Sequence, residues 1–371
     1  MKKHLASRRI VLWGMLAVGT AGAVLAQEEQ PLAAGNEALL TLAYPVKKAA
    51  TPITLDGQLS PGEWDQAVKV AGFRVSGRED LASEQTVMHL LYDDTNLYLG
   101  IKCAESRMDQ LVAKCQVDDT NVWNDDCIEF FLDLKHDHAN YFHFIVNSVG
   151  ARYDAVGFDR TWSAPWTVKT SRAADAWYIE AAFPFAALKA AAPKPGTVWG
   201  FNLDRERQAG GSLQLYNWAD VRGNFHSPKL FGHLWFVPAD WQPEAQSVAE
   251  AAGRVGGEEA HIYVPGGYWV VKEGEAPRGW TYREMLKCQE GEVTRFWTEL
   301  EGIYKERPQM ILRDQFEKFR ARYEQTRQLA AETGPVDPEA CAAAKVFLDG
   351  LGEQLRTLYW KVRIEQLGET F

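Results

Sequence analysis

Cysteine and basic charge are both scarce in this sequence. The 371 residues contain 5 cysteines and no C-x-x-C pair or Cys/His spacing that would indicate zinc or redox chemistry. With a net charge of -10, the chain also lacks the clustered basic surface that DNA or RNA requires, so we expect no nucleic-acid partner. One disulfide is possible, and the odd number leaves at least one thiol unpaired among Cys103, Cys115, Cys127, Cys288 and Cys341.

Recognisable catalytic motifs are missing as well. We find no Ser/His/Asp, zincin or phosphate-loop signature in the chain. Hydrophobic residues make up 46% and charged residues 24%, a balance that excludes wholesale disorder, and the length allows two or three domains. What the chain has in quantity is tryptophan, with 14 residues that must serve either a large core or a binding surface.

A secretory signal peptide is predicted at residues 1–26. A basic start precedes an apolar run over residues 10–26, which ends in small residues at the cleavage positions. The alternative is a membrane anchor, for which the run is short and rich in glycine and alanine. We expect an exported chain in the periplasm, at the cell surface or outside the cell. Cleavage after Ala26 would lower the net charge from -10 to -14 by removing Lys2, Lys3, Arg8 and Arg9.

Alternating apolar residues predict one strand after another from residue 46 to residue 237. Turn-forming residues separate these segments, which is typical of an antiparallel β-sandwich of the jelly-roll or immunoglobulin-like type. Residues 27–45 precede the predicted sandwich as an N-terminal segment. The clearest predicted strands are residues 97–103, 127–134, 141–149, 177–184, 198–203 and 230–237.

A change of composition after the sandwich predicts a linker and then a helical tail. Residues 238–280 are rich in Gly, Ala and Glu, with one short apolar piece at 261–271. Residues 281–371 carry two stripes at helical spacing, which predict a C-terminal α-helical hairpin. Such a hairpin is too small for a core of its own, so we expect it to pack on the sandwich, on a second copy or on a protein partner. The stripes are Leu312, Phe316, Phe319 and Tyr323, and then Phe347, Leu351, Leu355, Leu358 and Val362.

Five short segments carry a resemblance to a known family. Read in chain order, they resemble the carbohydrate-binding modules of family 9, which belong to the broader DOMON-like group of β-sandwich domains. The match covers roughly residues 46–237. The resemblance implies that two aromatic side chains clamp a sugar, that charged and amide groups bond its hydroxyls, and that bound calcium is structural. The segments are Ile53–Gln58 with Pro61–Trp64, Asp93–Tyr98, Asn121–Asp133, Trp199–Asn202, and Asn217–Asp220 with Phe225–Gly232.

The resemblance also implies a set of binding residues. Trp123 matches one aromatic of the clamp, and Phe225 stands where the second would be, a tryptophan in the best sugar binders of the family. Glu129 matches a carboxylate that accepts from sugar hydroxyls, and Asn147 an amide on the next strand. Ile145 replaces an arginine of those binders. The candidate ligand-binding residues are Trp123, Glu129, Asn147, Phe225, Asp126 and Trp218.

Strand periodicity supports part of this set. Alternation places Glu129 on one face of its strand and Ile128, Phe130 and Leu132 on the other. A hairpin with the next strand would set Glu129 opposite Asn147. A carboxylate on an otherwise apolar face indicates either a polar cleft or an ion pair with a nearby Arg or Lys. Trp123 could likewise stack on a sugar or simply cover the end of the sandwich.

The leading hypothesis is an exported, non-catalytic protein that binds a polysaccharide or oligosaccharide in carbohydrate catabolism. An accessory part of a glycoside hydrolase system, a glycoside-active enzyme and a scaffold with a recruiting tail stay open as alternatives. A haem-binding electron-transfer domain is a further alternative, with Met88, His89 and His143 as candidate axial ligands. The acidic residues could also supply oxygens to calcium, without an EF-hand spacing. They are Asp93, Asp94, Asp125, Asp126, Glu129 and Asp133.

Overall fold

A computed structural model describes residues 40–368, apart from the side chain of Glu292. The predicted signal peptide and residues 27–39 of the N-terminal segment lie outside the described residues, whereas residues 40–45 of that segment belong to the first strand of the sheet. Among the residues described, no helix is long and apolar enough to span a bilayer. The first strands are β1 (Leu40–Lys48), β2 (Arg74–Val75), β3 (Thr86–Tyr92), β4 (Asn96–Ala104), β5 (Cys127–Asp133), β6 (Phe142–Asn147), β7 (Arg152–Val156) and β8 (Thr167–Arg172). The later strands are β9 (Ala176–Pro184), β10 (Val198–Arg207), β11 (Gln214–Asn217), β12 (Gly232–Val237), β13 (Glu259–Val264), β14 (Gly267–Lys272) and β15 (Arg278–Thr281). The helices are α1 (Ala245–Val255), α2 (Tyr282–Glu306), α3 (Arg313–Ala331) and α4 (Pro338–Gly368).

The strands form one continuous sheet that curls on itself. Its main path runs β7-β6-β5-β10-β12-β1-β3-β4-β9-β8. Strand β1 is parallel to β12, β3 and β13, and the other strand pairs are antiparallel. The predicted mainly β fold followed by helices is confirmed.

The core lies between the two halves of the curled sheet. Ile128, Phe130 and Leu132 of β5 are fully buried in it, as their alternation predicts. The ring centroid of Phe130 is 5.0 Å from that of Phe183 in β9, although five strands separate β5 from β9 along the sheet. The residues of β5 on the opposite face, Glu129 among them, are therefore directed away from this core.

Residues 238–280 differ from the linker that their composition predicts. They form α1 and the meander β13-β14-β15, and Leu40–Ala43 of β1 pairs with Glu259–Ile262 of β13. The pairing extends the sheet, and Val248 of α1 packs in the same buried cluster as Ile262. These strands are only four to six residues long and lie among many glycines, so their alternation of apolar residues is too short to predict a strand. Pairing with β1 makes the segment part of the sheet.

The helical tail is confirmed, and it contains three helices rather than a hairpin. Phe316 and Tyr323 of α3 and the predicted stripe of α4 share one buried cluster. The additional helix α2 begins at Thr281, whose hydroxyl oxygen accepts a hydrogen bond from the backbone N–H of Glu284. The residues that α2 contributes to the cluster are Val293, Trp297, Leu300 and Tyr304.

The start of α4 fastens the tail to the sandwich. The Lys102 ammonium lies 2.8 Å from a carboxylate oxygen of Glu339, and Ala342 packs in one cluster with Ala71 and Val87. Packing on the sandwich is one of the three arrangements expected for the tail. Binding of a partner or of a second copy stays a prediction.

The five cysteines all lie among the described residues, and none is paired with another. The possible disulfide is therefore absent from the fold. Cys103 and Cys127 are fully buried, and burial raises the pKa of each thiol, so both side chains serve as small apolar groups.

Candidate functional site

The register of β5 against β6 sets the geometry of the site. Glu129 lies opposite Ile145, and Phe131 lies opposite His143, so the expected pairing of Glu129 with Asn147 is wrong by two residues. An offset of two keeps each side chain on its predicted face. In the loop that connects the two strands, a carboxylate oxygen of Asp133 accepts a hydrogen bond from the backbone N–H of His138 at 2.7 Å.

Glu129 is bonded to a histidine rather than to a lysine or arginine. Its Oε2 atom is 2.7 Å from Nε2 of His143, and both side chains are about 5% exposed. The His143 ring is stacked on Phe131 with 4.4 Å between centroids, which fixes its orientation. Burial lowers the pKa of His143 to about 3, so its imidazole is neutral at pH 7.

Two further acids lie beside Glu129 on β10. Asp204 is directly opposite Glu129, and Glu206 is its diagonal neighbour. Burial raises the pKa of all three carboxyl groups. The Glu206 pKa is raised further by the charge of Glu129, to which its side chain is hydrogen-bonded. The two glutamates thus titrate as a pair that holds a proton.

Aromatic rings continue the site beyond β6. Trp123 is partly exposed before β5, and its ring contacts Tyr153 edge-on with 5.5 Å between centroids. The guanidinium carbon of Arg160 is 5.0 Å from the Trp123 ring centroid and 5.7 Å from that of Tyr153. Tyr153 in turn lies 5.6 Å from the His143 ring. Trp123 is therefore connected to Glu129 through Tyr153 and His143.

A second exposed ring lies on the other side of the histidine. The His226 ring is perpendicular to that of His143 at 4.9 Å, and its Nδ1 is 2.8 Å from the Tyr141 hydroxyl. Phe158 stacks on His226 at 4.5 Å and is 76% exposed. We call the connected set the outer patch; its members are Trp123, Glu129, His143, Tyr153, Phe158, Arg160 and His226.

Two of the predicted aromatic residues lie elsewhere. Phe225 is only 8% exposed and packs with Phe131 and Phe231, and among residues 40–368 no ring contact joins it to Trp123. Trp218 is 2% exposed in the main core, against Phe201. Neither ring offers the open face that stacking on a sugar requires.

The predicted amide and the adjacent acids hold loops in place. Asn147 is fully buried; its Nδ2 donates to Asp125, and its Oδ1 accepts from the backbone N–H of Ala151. Asp126 accepts from the backbone N–H groups of Val112 and Gln208. A sugar contact by either side chain would require one of these bonds to be exchanged.

The acids considered for calcium are engaged in the same way. Asp125 accepts from the backbone N–H groups of Lys114 and Cys115, and Asp93 from those of Thr95 and Asn96. In the described part of the chain, no group of three or more potential metal ligands includes Asp93, Asp94, Asp125 or Asp126. Of the six candidates only Glu129 belongs to such groups, with His143 and His226 or with Cys127 and Glu206. Structural calcium stays a prediction.

The two histidines considered for haem lie on opposite sides of the core. Met88 belongs to the core, so its neighbour His89 in β3 is on the outer face, where Nδ1 contacts the Gly100 carbonyl at 3.3 Å. His143 is on the outer face of β6, in the other half of the curled sheet. The core therefore separates the two imidazoles.

Five members of the outer patch are not among the predicted ligand-binding residues, and one of the five, His143, was considered only as a haem ligand. Phe158 and Arg160 lie in the loop after β7, and His226 in the loop before β12, where no strand or helix period exists. Tyr153 is the second residue of a five-residue strand. An unusual run of aromatic and basic residues around a turn, Phe158-Asp159-Arg160-Thr161-Trp162, is the signal that was available.

A comparison with protein families assigns the β-rich part of the chain. Residues 55–238 match the family model described as Carbohydrate family 9 binding domain-like. These residues form a carbohydrate family 9-like domain. The outer patch lies within the family 9-like domain, whereas the helical tail is outside the match.

Solved structures are also similar to about half of this chain. Two are a carbohydrate-binding module of family 9 from Caldicellulosiruptor kristjanssonii, in complex with cellotriose and with glucose, at 19% and 18% identity. Each alignment has a TM-score of 0.42 and covers 54% of this chain, and 98% and 99% of the respective solved chain. A protein from Bacteroides uniformis aligns at 19% identity and a TM-score of 0.45, over 53% of this chain and 99% of its own. The search of curated proteins found no match.

Proposed function

We propose that the family 9-like domain binds a carbohydrate at the outer patch without cleaving it. The observation that carries the proposal is the placement of two aromatic rings, the exposed Phe158 and the partly exposed Trp123, beside the polar groups of Arg160 and His226. The buried carboxyl group of Glu129 lies beneath them. A sugar presents an apolar C–H face, which stacks on an aromatic ring, and hydroxyls, which need fixed donors and acceptors. The outer patch offers both.

The proposed binding set assigns two positions of the expected clamp to other residues. Phe158 is exposed and takes the second aromatic position, whereas Phe225 is buried. Arg160 supplies a guanidinium beside Trp123, and so provides the donor that Ile145 lacks. The proposed binding set therefore differs from the one that the resemblance implies, although Trp123 and Glu129 belong to both.

Binding is favoured over hydrolysis by the state of the acids. A glycosidase places its two carboxyl groups on either side of the scissile bond, about 5–9.5 Å apart. Glu129 and Glu206 are hydrogen-bonded to each other, and ligand atoms of both lie within 4.8 Å. A sugar ring has no room between them, which supports a binding role for this face.

Affinity electrophoresis in gels that contain single polysaccharides tests the proposal. Cellotriose and glucose are bound in the similar solved structures, so β-glucans are the first probes, followed by xylans and mannans. At least one polysaccharide should retard the wild-type chain, and Trp123→Ala should abolish the retardation. Trp360→Ala is the matched control, because Trp360 is 58% exposed on α4, outside the family 9-like domain. Retardation by no polysaccharide, or equal retardation of both variants, would contradict the proposal.

Export is part of the same proposal. Removal of residues 1–26 would leave an acidic chain in a compartment where extracellular polysaccharide fragments are met. Mass spectrometry of the chain recovered from periplasm and medium should find an N-terminus at Gln27. An intact N-terminus at Met1 in the cytoplasmic fraction would contradict export.

A further inference from the structure

Two imidazoles and one carboxylate converge in the floor of the outer patch. Glu129, His143 and His226 each bring a ligand atom into a group whose members all lie within 4.8 Å of one another. A tetrahedral ion with bonds of about 2.0–2.1 Å holds its ligand atoms roughly 3.3 Å apart. The 2.7 Å contact between Glu129 and His143 is shorter than this spacing, and 4.8 Å is longer. Small side-chain rotations would therefore bring the three atoms to ligand spacing.

Neighbouring groups hold both imidazoles as metal ligands are held. The Tyr141 hydroxyl contacts Nδ1 of His226 at 2.8 Å, which leaves Nε2 as the ring nitrogen for an ion. Stacking on Phe131 fixes the plane of His143, and its Nε2 is the atom that faces Glu129. Outer hydrogen bonds and packing of this kind orient histidine ligands in metal sites.

Acidic groups lie beside Glu129, whereas the positive charge of Arg160 acts on His143. Asp204 and Glu206 lie beside Glu129, and Asp204 is fully buried. Among the residues that the structure describes, neither Lys nor Arg forms an ion pair with any of these three acids. Without an ion, Glu129 and Glu206 hold a proton between them. A divalent ion bound at Glu129 would displace that proton and take up the charge of the carboxylate.

We propose that Glu129, His143 and His226 bind one divalent transition-metal ion, with Zn²⁺ as the ion that this donor set fits best. Two histidines and a carboxylate are a donor set of zinc sites that keep a fourth position open. The metal site shares Glu129 and His226 with the proposed sugar-binding set, but the aromatic rings of Trp123 and Phe158 are not ligands, so metal binding can be measured without sugar.

Calorimetric titration of Zn²⁺ into the full chain, after treatment with a chelator and without sugar, tests the proposal. The wild type should bind one ion at this site, and His226→Ala should weaken the affinity for that ion by at least about 100-fold. Tyr141→Phe should weaken it by about tenfold, since the ring loses its outer hydrogen bond. His261→Ala is the matched control: Nε2 of His261 also lies 2.7 Å from a glutamate, Glu259, without a third ligand, and its loss should change nothing.

The histidines at the tip of the β5–β6 loop require a separate variant. Nε2 of His136 is 2.8 Å from Nδ1 of His233, and His138 lies beside them, so these rings could also bind added zinc. The double variant His136→Ala, His138→Ala should keep the ion that His226→Ala loses. Co²⁺ substitution gives a second readout, since its visible bands should disappear in His226→Ala. The proposal would be overturned if the wild type bound no ion or if His226→Ala bound the ion as tightly as the wild type. It would also be overturned if only the double variant lost the ion. Trp123→Ala should retain the ion, so failure of sugar binding leaves this test intact.

Discussion

The carboxylate of Glu129 is bonded to the neutral imidazole of His143, its diagonal neighbour across β5 and β6, at 2.7 Å. This contact places an acid that needs a partner in the middle of an aromatic surface. Among the described residues neither Lys nor Arg forms an ion pair with Glu129, and its carboxyl group is hydrogen-bonded to Glu206. The pair of glutamates therefore determines how the fold responds to pH.

We predict that the free energy of unfolding of the wild type falls as the pH rises, and that it falls less in Glu206→Gln. Both glutamates have a pKa of 4.5 when unfolded and a raised pKa in the fold. Below pH 4.5 both states are protonated; above it the unfolded chain ionises first, so the free energy of unfolding falls until the pH passes the raised pKa. Relative to the variant, the wild type should lose more than about 1 kcal/mol over this interval.

Urea unfolding at a series of pH values above 4.5 measures this difference. Glu353→Gln, at an exposed position on α4, is the control and should follow the wild type at each pH. If the wild type and Glu206→Gln lose stability in parallel, the two glutamates do not share a proton in the fold.

We predict that Trp218 is required for stability and not for sugar binding, and Gly232→Ala probes this without removing the indole. A Cβ atom at Gly232 would lie 2.6 Å from Cζ3 of Trp218, so the substitution should cost about 1–3 kcal/mol of unfolding free energy. Thermal or urea unfolding measures the cost.

Gly253→Ala in α1 is the matched control, because an added Cβ there meets no atom within 4 Å. It should stabilise the chain by about 0.5–1 kcal/mol, as alanine in place of glycine does within a helix. The folded fraction of Gly232→Ala should bind sugar as the wild type does. Equal stability of the two variants would show that Trp218 is not packed against Gly232.

We predict that Ala342→Leu weakens the attachment of the helical tail to the sandwich. Ala342 is buried against Ala71 and Val87, so the larger side chain should cost about 1–3 kcal/mol and expose the loop before α4 to protease. Limited proteolysis and urea unfolding measure both effects. Ala343→Leu, at the exposed adjacent position, should change neither. Similar cleavage of the two variants would contradict the observed contact between α4 and the sheet.

Local periodicity accounts for the parts of the fold that could be predicted. The alternation of Ile128, Phe130 and Leu132 determines which face of β5 meets the core, and the stripe in α4 determines its buried side. The same spacing is present in α2, at Val293, Trp297, Leu300 and Tyr304, and could have identified the third helix of the tail.

The candidate site was predictable only where a single strand or a family resemblance carries it. Glu129 and Trp123 were identified in this way. Strand periodicity leaves the register of β5 on β6 undetermined, because an offset of two residues keeps every side chain on the same face. Phe158 and His226 lie in loops far apart in the chain and meet only in the folded state, where Phe225 becomes buried instead.

Sugar binding at the outer patch is tested most directly by calorimetric titration of one oligosaccharide into four proteins: the wild type, Trp123→Ala, Phe158→Ala and Trp360→Ala. The oligosaccharide is a fragment of whichever polysaccharide retards the wild type. Loss of either stacking ring should weaken binding by about tenfold or more, equivalent to about 1.4 kcal/mol, and Trp360→Ala should bind as the wild type does. Unchanged affinity in both Trp123→Ala and Phe158→Ala would contradict a carbohydrate site between these two rings.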